Sequence, residues 1–327
     1  MNKFKKILIT GISGSGGSYL TEYISNNYKK IQIYGISRWH SSFDTKNIKN
    51  FDNKIKLFNC DLNDFSSIMN ILNKIKPDAI FHLASHANVR ASFDTPIAVT
   101  NNNINSTLNL LEAIRATKIN PVIQLCSTSE VYGKVQKNEI PIKETAPFRP
   151  SSPYAVSKLT QDMLGLTYYY SYNLKVIRTR MFSYFNPRRE DLFATSFAKQ
   201  IALIEKGKIK YLSHGNLNSI RTMIDIDDAM RAYCLAITKC KYGEAYNIGG
   251  NKVIKVGDFL KTLVSLSSKK IVTKLDKNLL RPSDVTLQIP DISKFKKATG
   301  FKPEVSFDKS MLNLLNYWRE QINQKYR

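Results

Sequence analysis

The chain has 327 residues, of which 43% are hydrophobic, and this composition is ordinary for a soluble globular protein. Its formal net charge is +23, and so basic a chain is typical of proteins that bind nucleic acids or membrane surfaces. The lysines are spread along the chain, however, and none of the dense basic blocks that mark a nucleic-acid-binding tail is present. We therefore interpret the charge as a compositional bias that suits an anionic ligand, and we predict neither a nucleic-acid nor a membrane partner.

The cysteines and the first residues bear on the cellular compartment. Cys60, Cys126, Cys234 and Cys240 form no CxxC pair, which favours free thiols in a reducing environment. The first apolar run stops after Ile9, too early for a signal peptide, and no later run is long enough to span a bilayer. The sequence predicts a cytoplasmic enzyme.

The first predicted element is a short buried strand at residues 4–10. Gly11, Gly14 and Gly17 follow it at intervals of three, and a helical pattern begins near Tyr19. Glycines at these positions permit a tight turn and the close approach of a pyrophosphate, which then binds at the helix N-terminus. The position between a strand and a helix is the context that makes this motif informative.

The second and third strands end in residues that bear on cofactor choice. The strand at 31–37 runs into Arg38, with no acidic residue before Asp44. An arginine here suits a 2′-phosphate, so we predict NADP rather than NAD, the alternative being that Arg38 is a surface residue. The strand at 54–60 is followed by Asp61 and Leu62, and such an acidic residue can bind an adenine amino group.

The next strand, at residues 78–85, contains His82 and is followed four positions later by His86. This spacing resembles a metal-binding pair, but a strand that leaves into a loop does not place both rings on one face. We predict no metal site and interpret His82 as a packed core residue. The small residues Ala84 and Ser85 suit a backbone that passes close to a cofactor.

Strands and helices alternate along this part of the chain, with helices predicted at 64–75, 96–118 and 153–172. This alternation predicts an α/β fold of the Rossmann type with a doubly wound parallel sheet. The pattern becomes less regular after Arg180, which predicts a smaller C-terminal substrate-binding lobe containing two helices after residue 251. We predict an NADP-binding domain at 1–180 plus about 221–250, and a substrate-binding lobe at about 181–220 and 251–327.

The stretch 125–158 carries the predicted chemistry. Tyr154 and Lys158 lie four apart on a predicted helix, where they share one face. A neighbouring ammonium favours the phenolate, so we expect a lowered Tyr154 pKa and a general base. Thr128 supplies a hydroxyl at a strand end and Glu130 a second base. Together these groups predict chemistry with more than one proton transfer.

Two arginines of the C-terminal half, Arg221 and Arg281, lie near predicted turns. Arginines in such positions can form bidentate contacts to phosphates. A surface salt bridge is an equally good interpretation, and the sequence leaves the two open.

Several motifs together carry a resemblance to a known family. They are GISGSGGSYL, SRWHSSFDT, STSEVYGKVQ, SPYAVSK, NPRREDLFAT, LRPSDV and the late NYWRE. With these motifs the chain resembles the extended short-chain dehydrogenase/reductases, specifically the GDP-mannose 4,6-dehydratase group and its relatives, the GDP-4-keto-6-deoxymannose reductases. The resemblance covers essentially the whole chain.

The resemblance implies a set of site residues. Gly11, Gly14 and Gly17 would bind the cofactor pyrophosphate, Arg38 the NADP 2′-phosphate, and the Ser41–Thr45 stretch a neighbouring subunit's cofactor. The implied sites are catalytic residues Thr128, Glu130, Tyr154 and Lys158; further cofactor contacts Ser15, Asp61, Leu62, Leu83 and Ala84; and substrate contacts His86, Ser183, Asn186, Arg188, Arg221 and Arg281.

The implied reaction is an internal redox cycle on GDP-mannose or a related GDP-sugar, which yields a 4-keto-6-deoxy sugar. Tyr154 would take the C4 hydroxyl proton, and Glu130 the C5 proton before water leaves from C6. The alternatives are an NADPH-consuming reductase or epimerase of the same family, a non-catalytic NADP-binding regulator and an RNA-binding protein. The family also implies a homodimer or homotetramer, with residues 100–118 and 153–172 as the interface.

The chain departs from the dehydratase pattern at two places. The group usually has Arg-Arg-Ser after the second strand, where this chain has Arg38, Trp39 and His40. It usually has Phe-Asn-His where this chain has Phe182, Ser183 and Tyr184. Because that asparagine would contact the substrate, the change leaves the sugar open, and a GDP-heptose is an alternative to the hexose.

Overall fold

The computed structural model describes residues 1–38, 47–48 and 55–326. The predicted contact of the Ser41–Thr45 stretch lies outside these residues. The strands of the described residues are, in chain order, β1 (Lys6–Thr10), β2 (Gln32–Ser37), β3 (Ile55–Asn59), β4 (Ala79–His82), β5 (Val122–Thr128), β6 (Lys175–Met181), β7 (Leu212–His214), β8 (Ile220–Thr222), β9 (Ala245–Ile248), β10 (Val253–Lys255), β11 (Thr273–Leu275) and β12 (Leu287–Gln288).

Helices alternate with these strands. Within the described ranges they are α1 (Ser15–Asn27), α2 (Phe65–Ile75), α3 (Ala91–Asp94), α4 (Pro96–Ala116), α5 (Pro153–Tyr172), α6 (Phe193–Glu205), α7 (Ile226–Lys239), α8 (Val256–Ser265), α9 (Ser293–Thr299) and α10 (Phe307–Lys325). None of them combines the length and the apolar composition that crossing a bilayer requires.

The main sheet has seven strands in the order β3-β2-β1-β4-β5-β6-β9, and all of its neighbours pair in parallel. Its strands are short apolar runs, because both faces of a parallel sheet are covered. In β4, for example, all four residues are buried. The order of the strands reverses between β1 and β4, which opens a crevice at their carboxyl ends. The predicted doubly wound Rossmann-type sheet is confirmed.

Each face of this sheet has its own hydrophobic core. On one face, α1 and α7 pack against the sheet with residues such as Leu20 and Met230. On the other, α2, α4 and α5 contribute residues such as Leu72, Leu111 and Tyr168. Helices therefore cover both faces, and the carboxyl edge of the sheet remains open for a site.

A third core lies beside the sheet and is built from α6, α8 and α10. It includes Phe197, Phe259 and Trp318, together with Leu212 of β7. The region after Arg180 is thus more regular than we predicted, because residues 193–205 form a full helix. The segment after residue 251 contains three α-helices rather than two, the additional one being α9.

A buried ion cluster fixes α5 to the neighbouring strand. Asp162 accepts hydrogen bonds from Arg178 (Oδ1–Nη1, 2.7 Å) and from Arg180 (Oδ2–Nε, 2.9 Å), and all three side chains are almost completely buried. Arg180 also donates to the Tyr132 hydroxyl at 3.0 Å and stacks over the Phe148 ring. Buried charges of this kind are tolerated only when they are paired and hydrogen-bonded, so the cluster determines how α5 lies on β6.

Candidate active site

A cavity of about 620 Å³ opens at the carboxyl ends of β1, β4, β5 and β6. Many residues that were predicted from the sequence converge on it from distant parts of the chain. The predicted site residues that line it are Gly11, Gly14, Ser15, Gly17, Leu83, Thr128, Glu130, Tyr154, Lys158, Ser183, Arg221 and Arg281.

The glycine-rich loop forms one end of this cavity. Gly11 has a positive φ of +67°, and a Cβ atom on it would lie 2.8 Å from the Ala84 Cα atom. A Cβ atom on Gly17 would collide with the Gly11 carbonyl oxygen. Because side chains are excluded here, the backbone at the α1 N-terminus stays accessible to a phosphate group. The loop therefore fits the pyrophosphate of a dinucleotide.

Ser15 and Asn186 extend this end of the cavity in different ways. Ser15 is the first residue of α1, and its hydroxyl accepts a hydrogen bond from Asn186 Nδ2 at 3.2 Å. Asn186 is fully buried behind the loop and does not line the cavity. Its Oδ1 atom has no hydrogen-bond partner among the described residues. In this structure Asn186 thus supports the glycine loop from behind.

The predicted adenine-end residues are not among those that line the cavity. Arg38 follows β2 and Asp61 follows β3; their side chains are about half exposed and lie 4.0 Å apart. Leu62 is buried in the core, where its carbonyl oxygen accepts from Asn109. Ala84 lies against Gly11, and its N–H group donates to Thr10 Oγ1 at 3.2 Å. An exposed guanidinium at the end of β2 fits a 2′-phosphate.

The two predicted histidines have separate environments. His82 is buried between two hydroxyl groups, with its Nδ1 2.9 Å from Thr10 Oγ1 and its Nε2 3.0 Å from Thr107 Oγ1. Burial lowers its pKa to about 3, with a smaller contribution from Lys158. The prediction of a core histidine is confirmed. The His86 backbone forms two hydrogen bonds with the Asn103 side chain, and His86 does not line the cavity. Burial lowers the pKa of the His86 side chain.

Thr128, Tyr154 and Lys158 form what we call the helix wall of the cavity. Ser152 caps the N-terminus of α5 by accepting from the Ala155 N–H group, which orients the first turn that contains Tyr154. One turn later the Lys158 ammonium donates to the Cys126 carbonyl oxygen at the end of β5. As the sequence predicted, Tyr154 and Lys158 share one face of the helix, and both side chains line the cavity.

The expected lowering of the Tyr154 pKa is wrong for the protein alone. Burial raises the pKa of the Tyr154 phenol, and the opposing influence comes mainly from the guanidinium of Arg189. Burial also lowers the pKa of Lys158, whose ammonium donates to the Cys126 carbonyl. The spacing of Tyr154 and Lys158 correctly predicted that both side chains lie at the cavity. It could not show that burial raises the Tyr154 pKa more than nearby positive charges lower it.

Arg188 was expected to contact the substrate, but the cavity is lined by its neighbour Arg189 instead. Arg188 forms an ion pair with Glu22 (Nη2–Oε2, 2.7 Å) and stacks on the Tyr19 ring, away from the cavity. Arg189 is held by Asp191 (Nε–Oδ1, 2.9 Å). Its Nη2 atom also donates to the Ala87 carbonyl at 2.6 Å.

A second group of lining residues, which we call the charged wall, consists of Glu130, Arg221, Arg281 and Asp284. The Arg281 Nη1 atom lies 4.0 Å from Glu130 Oε1 and 4.0 Å from Asp284 Oδ1. The Arg221 Nη2 atom lies 4.0 Å from Asp284 Oδ1. The wall thus joins two cations and two anions at separations that leave the guanidinium groups able to bind a ligand.

Arg221 has unused hydrogen-bonding capacity. Its Nη1 atom is buried and has no partner among the described residues, and burial lowers the pKa of the guanidinium. Asp284, by contrast, is well bonded, because its Oδ2 atom accepts from Asn216 at 2.7 Å and from Ser219 at 3.2 Å. A buried, unpaired donor beside a fixed carboxylate fits an anionic ligand such as a diphosphate.

Sequence reasoning missed some of the residues that line the cavity, most clearly Asp284, Gln288 and Arg189. Asp284 lies within the LRPSDV motif, three residues after Arg281, and this proximity was an available signal. Gln288 donates from Nε2 to Glu130 Oε1 at 3.0 Å across 158 positions of the chain. No local pattern could indicate that contact.

Comparisons with known proteins agree with this geometry. The family described as GDP-mannose 4,6 dehydratase matches residues 8–313. The GDP-mannose 4,6-dehydratase of Yersinia enterocolitica is 31% identical, over 93% of this chain and 91% of that protein. The GDP-6-deoxy-D-mannose reductase of Pseudomonas aeruginosa is 28% identical, over 76% and 83% respectively. The structure of RMD from Pseudomonas aeruginosa complexed with NADPH has a TM-score of 0.82 at 25% identity and covers 97% of this chain and 99% of that one.

The fold and the site together define a Rossmann-type enzyme of the short-chain dehydrogenase/reductase class that acts on nucleotide sugars. Within that class, the chain belongs to the GDP-mannose 4,6-dehydratase family. The predicted family and the predicted class of enzyme, an NAD(P)-dependent sugar-nucleotide dehydratase, are confirmed.

Proposed function

We propose that the protein converts GDP-mannose, or a related GDP-sugar, into the corresponding 4-keto-6-deoxy sugar by losing one molecule of water. The observation that carries this proposal is the meeting of Thr128, Glu130, Tyr154 and Lys158 around one cavity in a chain of this family. A phenol and a carboxylate that line one cavity suit two proton transfers at different carbon atoms.

The cofactor of the proposal is NADP. Gly11, Gly14, Ser15 and Gly17 would hold its pyrophosphate at the α1 N-terminus, with Leu83 and Ala84 beside the loop. Arg38 would bind the 2′-phosphate, and Asp61 and Leu62 would lie near the adenine. When bound, NADP supplies the acceptor for a hydride from C4 and the donor of a hydride to C6. The NADPH in the structure of the similar Pseudomonas aeruginosa protein supports NADP over NAD.

The helix wall would carry out the first proton transfer. Tyr154 would remove the proton of the C4 hydroxyl group as its phenolate, a form that the positive charges of Lys158 and of bound NADP⁺ would favour against the effect of burial in the protein alone. Lys158 lies one helical turn away and holds the nicotinamide end of the site, while Thr128 shares the proton in transit. Oxidation at C4 gives a ketone, which makes the neighbouring C5 proton acidic.

Glu130 would carry out the second proton transfer from the charged wall. Glu130 would remove the C5 proton and deliver it to the C6 hydroxyl group, which leaves as water. When the hydride returns to C6, C5 would take up one proton, which balances the proton that Tyr154 removed from the C4 hydroxyl group. Arg221 and Arg281 would bind the diphosphate, whose charge matches their guanidinium groups. Arg189 replaces Arg188 in this proposal because it lines the cavity, and Ser183 would contact the sugar. Asn186 and His86 would support the substrate site from its margin.

The test is to incubate the purified protein with GDP-mannose and a catalytic amount of NADP⁺, and to follow the product by mass spectrometry. Loss of one water without net formation of NADPH is the expected result. No water loss from GDP-mannose or from a GDP-heptose would contradict the proposal. A product from the heptose alone would instead assign the larger sugar as the substrate.

A second candidate function is the reductase, which the 28% identity to the Pseudomonas aeruginosa reductase supports. A reductase consumes NADPH on a 4-keto-6-deoxy sugar and does not need Glu130 as a base. The variant Glu130→Gln separates the two candidates. In a dehydratase it abolishes water loss while C4 oxidation continues, whereas in a reductase the turnover of NADPH is unchanged.

We also propose the division into an NADP-binding domain at 1–180 plus about 221–250 and a substrate lobe at about 181–220 and 251–327. The separate core of α6, α8 and α10 supports this division. One refinement concerns α9 and Phe301, which pack in the core of the sheet with β9 and α7. In the proposed division, residues 293–301 therefore belong with the NADP-binding domain and interrupt the substrate lobe.

The proposed assembly is a homodimer or homotetramer that pairs residues 100–118 and 153–172. Apolar side chains on and just before these segments support it, because Ile97, Val156 and Tyr170 are 75%, 45% and 73% exposed. Light scattering should give at least a dimer, and a monomer at micromolar concentration would refute the assembly. A cytoplasmic location is also proposed, and the four free thiols are compatible with it.

A further inference from the structure

Gln288 stands out because it is a buried amide at the end of a strand of only two residues. It is 4% exposed, lines the cavity, and donates from Nε2 to Glu130 Oε1 at 3.0 Å. Burying an amide is unfavourable unless it is hydrogen-bonded, so a leucine would be the ordinary residue at such a position. The amide therefore has a function that its burial alone does not explain.

The backbone around Gln288 is fixed from two sides. On one side Gln288 pairs with Arg221 of β8. On the other, the Ile142 N–H group donates to the Ile289 carbonyl at 2.7 Å, and the Asp291 N–H group donates to the Ile142 carbonyl at 2.8 Å. The side chain thus starts from a rigid base, as a residue that orients another group requires.

The bond to Gln288 orients the Glu130 carboxylate. Within the described residues, both the amide of Gln288 and the nearest nitrogen of Arg281 face the same oxygen, Oε1. The other oxygen, Oε2, therefore carries none of these contacts and is available to accept a proton. The side chain of Glu130 is 13% exposed, so few water molecules could replace the amide.

Arg281 cannot provide the same support throughout a reaction. It lies 4.0 Å from both Glu130 and Asp284, and an anionic ligand would attract it away from Glu130. The Gln288 amide is neutral and is not attracted in this way. It can therefore hold Oε1 while the neighbouring cation binds a phosphate.

We propose that Gln288 is a positioning residue that fixes Glu130 through Oε1 and thereby directs Oε2 at the substrate. This inference rests on the proposed function, in which Glu130 removes the C5 proton. Gln288 thus acts on the second proton transfer only, and the chemistry at Tyr154 is independent of it.

The test uses the full chain, with NADP⁺ and GDP-mannose, and the variants Gln288→Leu and Gln288→Glu. For Gln288→Leu we expect kcat for water loss to fall about tenfold with little change in KM, because one charge-assisted hydrogen bond is lost. Reduced nicotinamide should accumulate to a greater amplitude in single turnovers, because C4 oxidation continues while the next step is slow. Gln288→Glu should lower kcat for water loss further, because its carboxylate would face that of Glu130.

A matched control and a structural readout separate positioning from folding. Leu287→Val changes the neighbouring residue of the same strand, which does not line the cavity, and should leave both steps unchanged. A crystal structure of Gln288→Leu should show the Glu130 carboxylate displaced or in more than one conformer. If Glu130 stays in place and the amplitude of reduced nicotinamide matches that of the wild type, the inference is refuted.

The failure of the inference and the failure of the proposed function have different signatures. Water loss by the wild type together with an unaffected Gln288→Leu variant refutes only the role of Gln288. Equal losses in C4 oxidation and water loss, with a lower unfolding temperature, also refute it, because they indicate a structural defect. A wild type that loses no water and only oxidises NADPH refutes the proposed function, and the inference with it.

Discussion

The two walls of the cavity are built in opposite ways. The helix wall takes Thr128, Tyr154 and Lys158 from one strand and the next long helix, within 31 residues of sequence. The charged wall takes Glu130 from that same stretch, but Arg221, Arg281 and Asp284 from short strands and loops far along the chain. Regular elements position the first wall, whereas long-range contacts position the second.

The walls also differ in how they use charge. On the helix wall burial dominates, raising the pKa of Tyr154 and lowering that of Lys158. The charged wall links two cations and two anions through three ion pairs, each with a separation of 4.0 Å. We infer that the first wall is specialised for moving a proton and the second for binding an anion, and four predictions test this difference.

The largest expected effect is on the helix wall. Tyr154→Phe keeps the buried ring but removes the phenol oxygen, so we expect kcat to fall about a thousandfold, equivalent to about 4 kcal/mol. The loss should appear already in C4 oxidation, measured as reduced nicotinamide in single turnovers. Tyr170→Phe is the matched control, because Tyr170 is 73% exposed. Retention of C4 oxidation in Tyr154→Phe would assign the base to another group.

The next effect is on the support behind the helix wall. Asp162→Ala leaves the buried guanidinium groups of Arg178 and Arg180 without their carboxylate, and we expect a loss of about 3 kcal/mol in unfolding free energy. Urea denaturation measures it. The matched control is Asp258→Ala, whose partner Lys261 is 83% exposed, and which should change stability by less than about 0.5 kcal/mol. Similar losses for the two variants would refute the structural role of the buried cluster.

A smaller effect concerns the pH dependence of stability. Because His82 has a pKa of about 3 when folded and an ordinary value near 6.5 when unfolded, the unfolded chain binds an additional proton between these values. The unfolding free energy therefore falls as the pH drops below 6.5, by about 1.4 kcal/mol per pH unit, or about 2 kcal/mol at pH 5.

The measurement compares urea denaturation at pH 7 and pH 5 for the wild type and for His82→Gln. Because the carboxylates titrate equally in both proteins, the difference between the two pH dependences isolates His82. The variant should lose less stability than the wild type over this range. An identical pH dependence would show that His82 binds its proton equally in the folded and unfolded states.

The smallest effect is on the charged wall. Arg221→Lys keeps a positive charge but removes the planar pair of donors, so we expect KM for the nucleotide sugar to rise about tenfold, equivalent to about 1.4 kcal/mol. The value of kcat should change much less than in Tyr154→Phe. Arg115→Lys is the control, because Arg115 is paired with Glu112 away from the cavity. A loss confined to kcat would contradict a binding role for this wall.

Sequence patterns predicted the features that depend on local geometry. The glycine spacing predicted the loop at the α1 N-terminus, and the spacing of Tyr154 and Lys158 predicted their shared helix face. The alternation of short apolar strands with helices predicted the doubly wound parallel sheet. In each case a short segment of chain contains the physical cause.

The features that were missed depend on other causes. Helix α6 lies in the region after Arg180 that was interpreted as irregular, and its N-cap residue, Leu192, forms no side-chain cap that would have marked its start. Arg188 and Arg189 are neighbours of the same type, and only tertiary packing decides which of them contacts Glu22 and which the cavity. The contact of Gln288 with Glu130 depends on the pairing of β12 with β8, which no local signal specifies.

The distant origin of the charged wall has a consequence for the order in which the protein is synthesised. A ribosome that has incorporated residue 248 has already completed all seven strands of the main sheet, the glycine loop and the helix wall. Arg281, Asp284 and Gln288 are incorporated only later. Because domains fold as units during translation, the nascent chain acquires all the components of its proposed dinucleotide cradle while the group proposed to bind the sugar diphosphate still lacks Arg281.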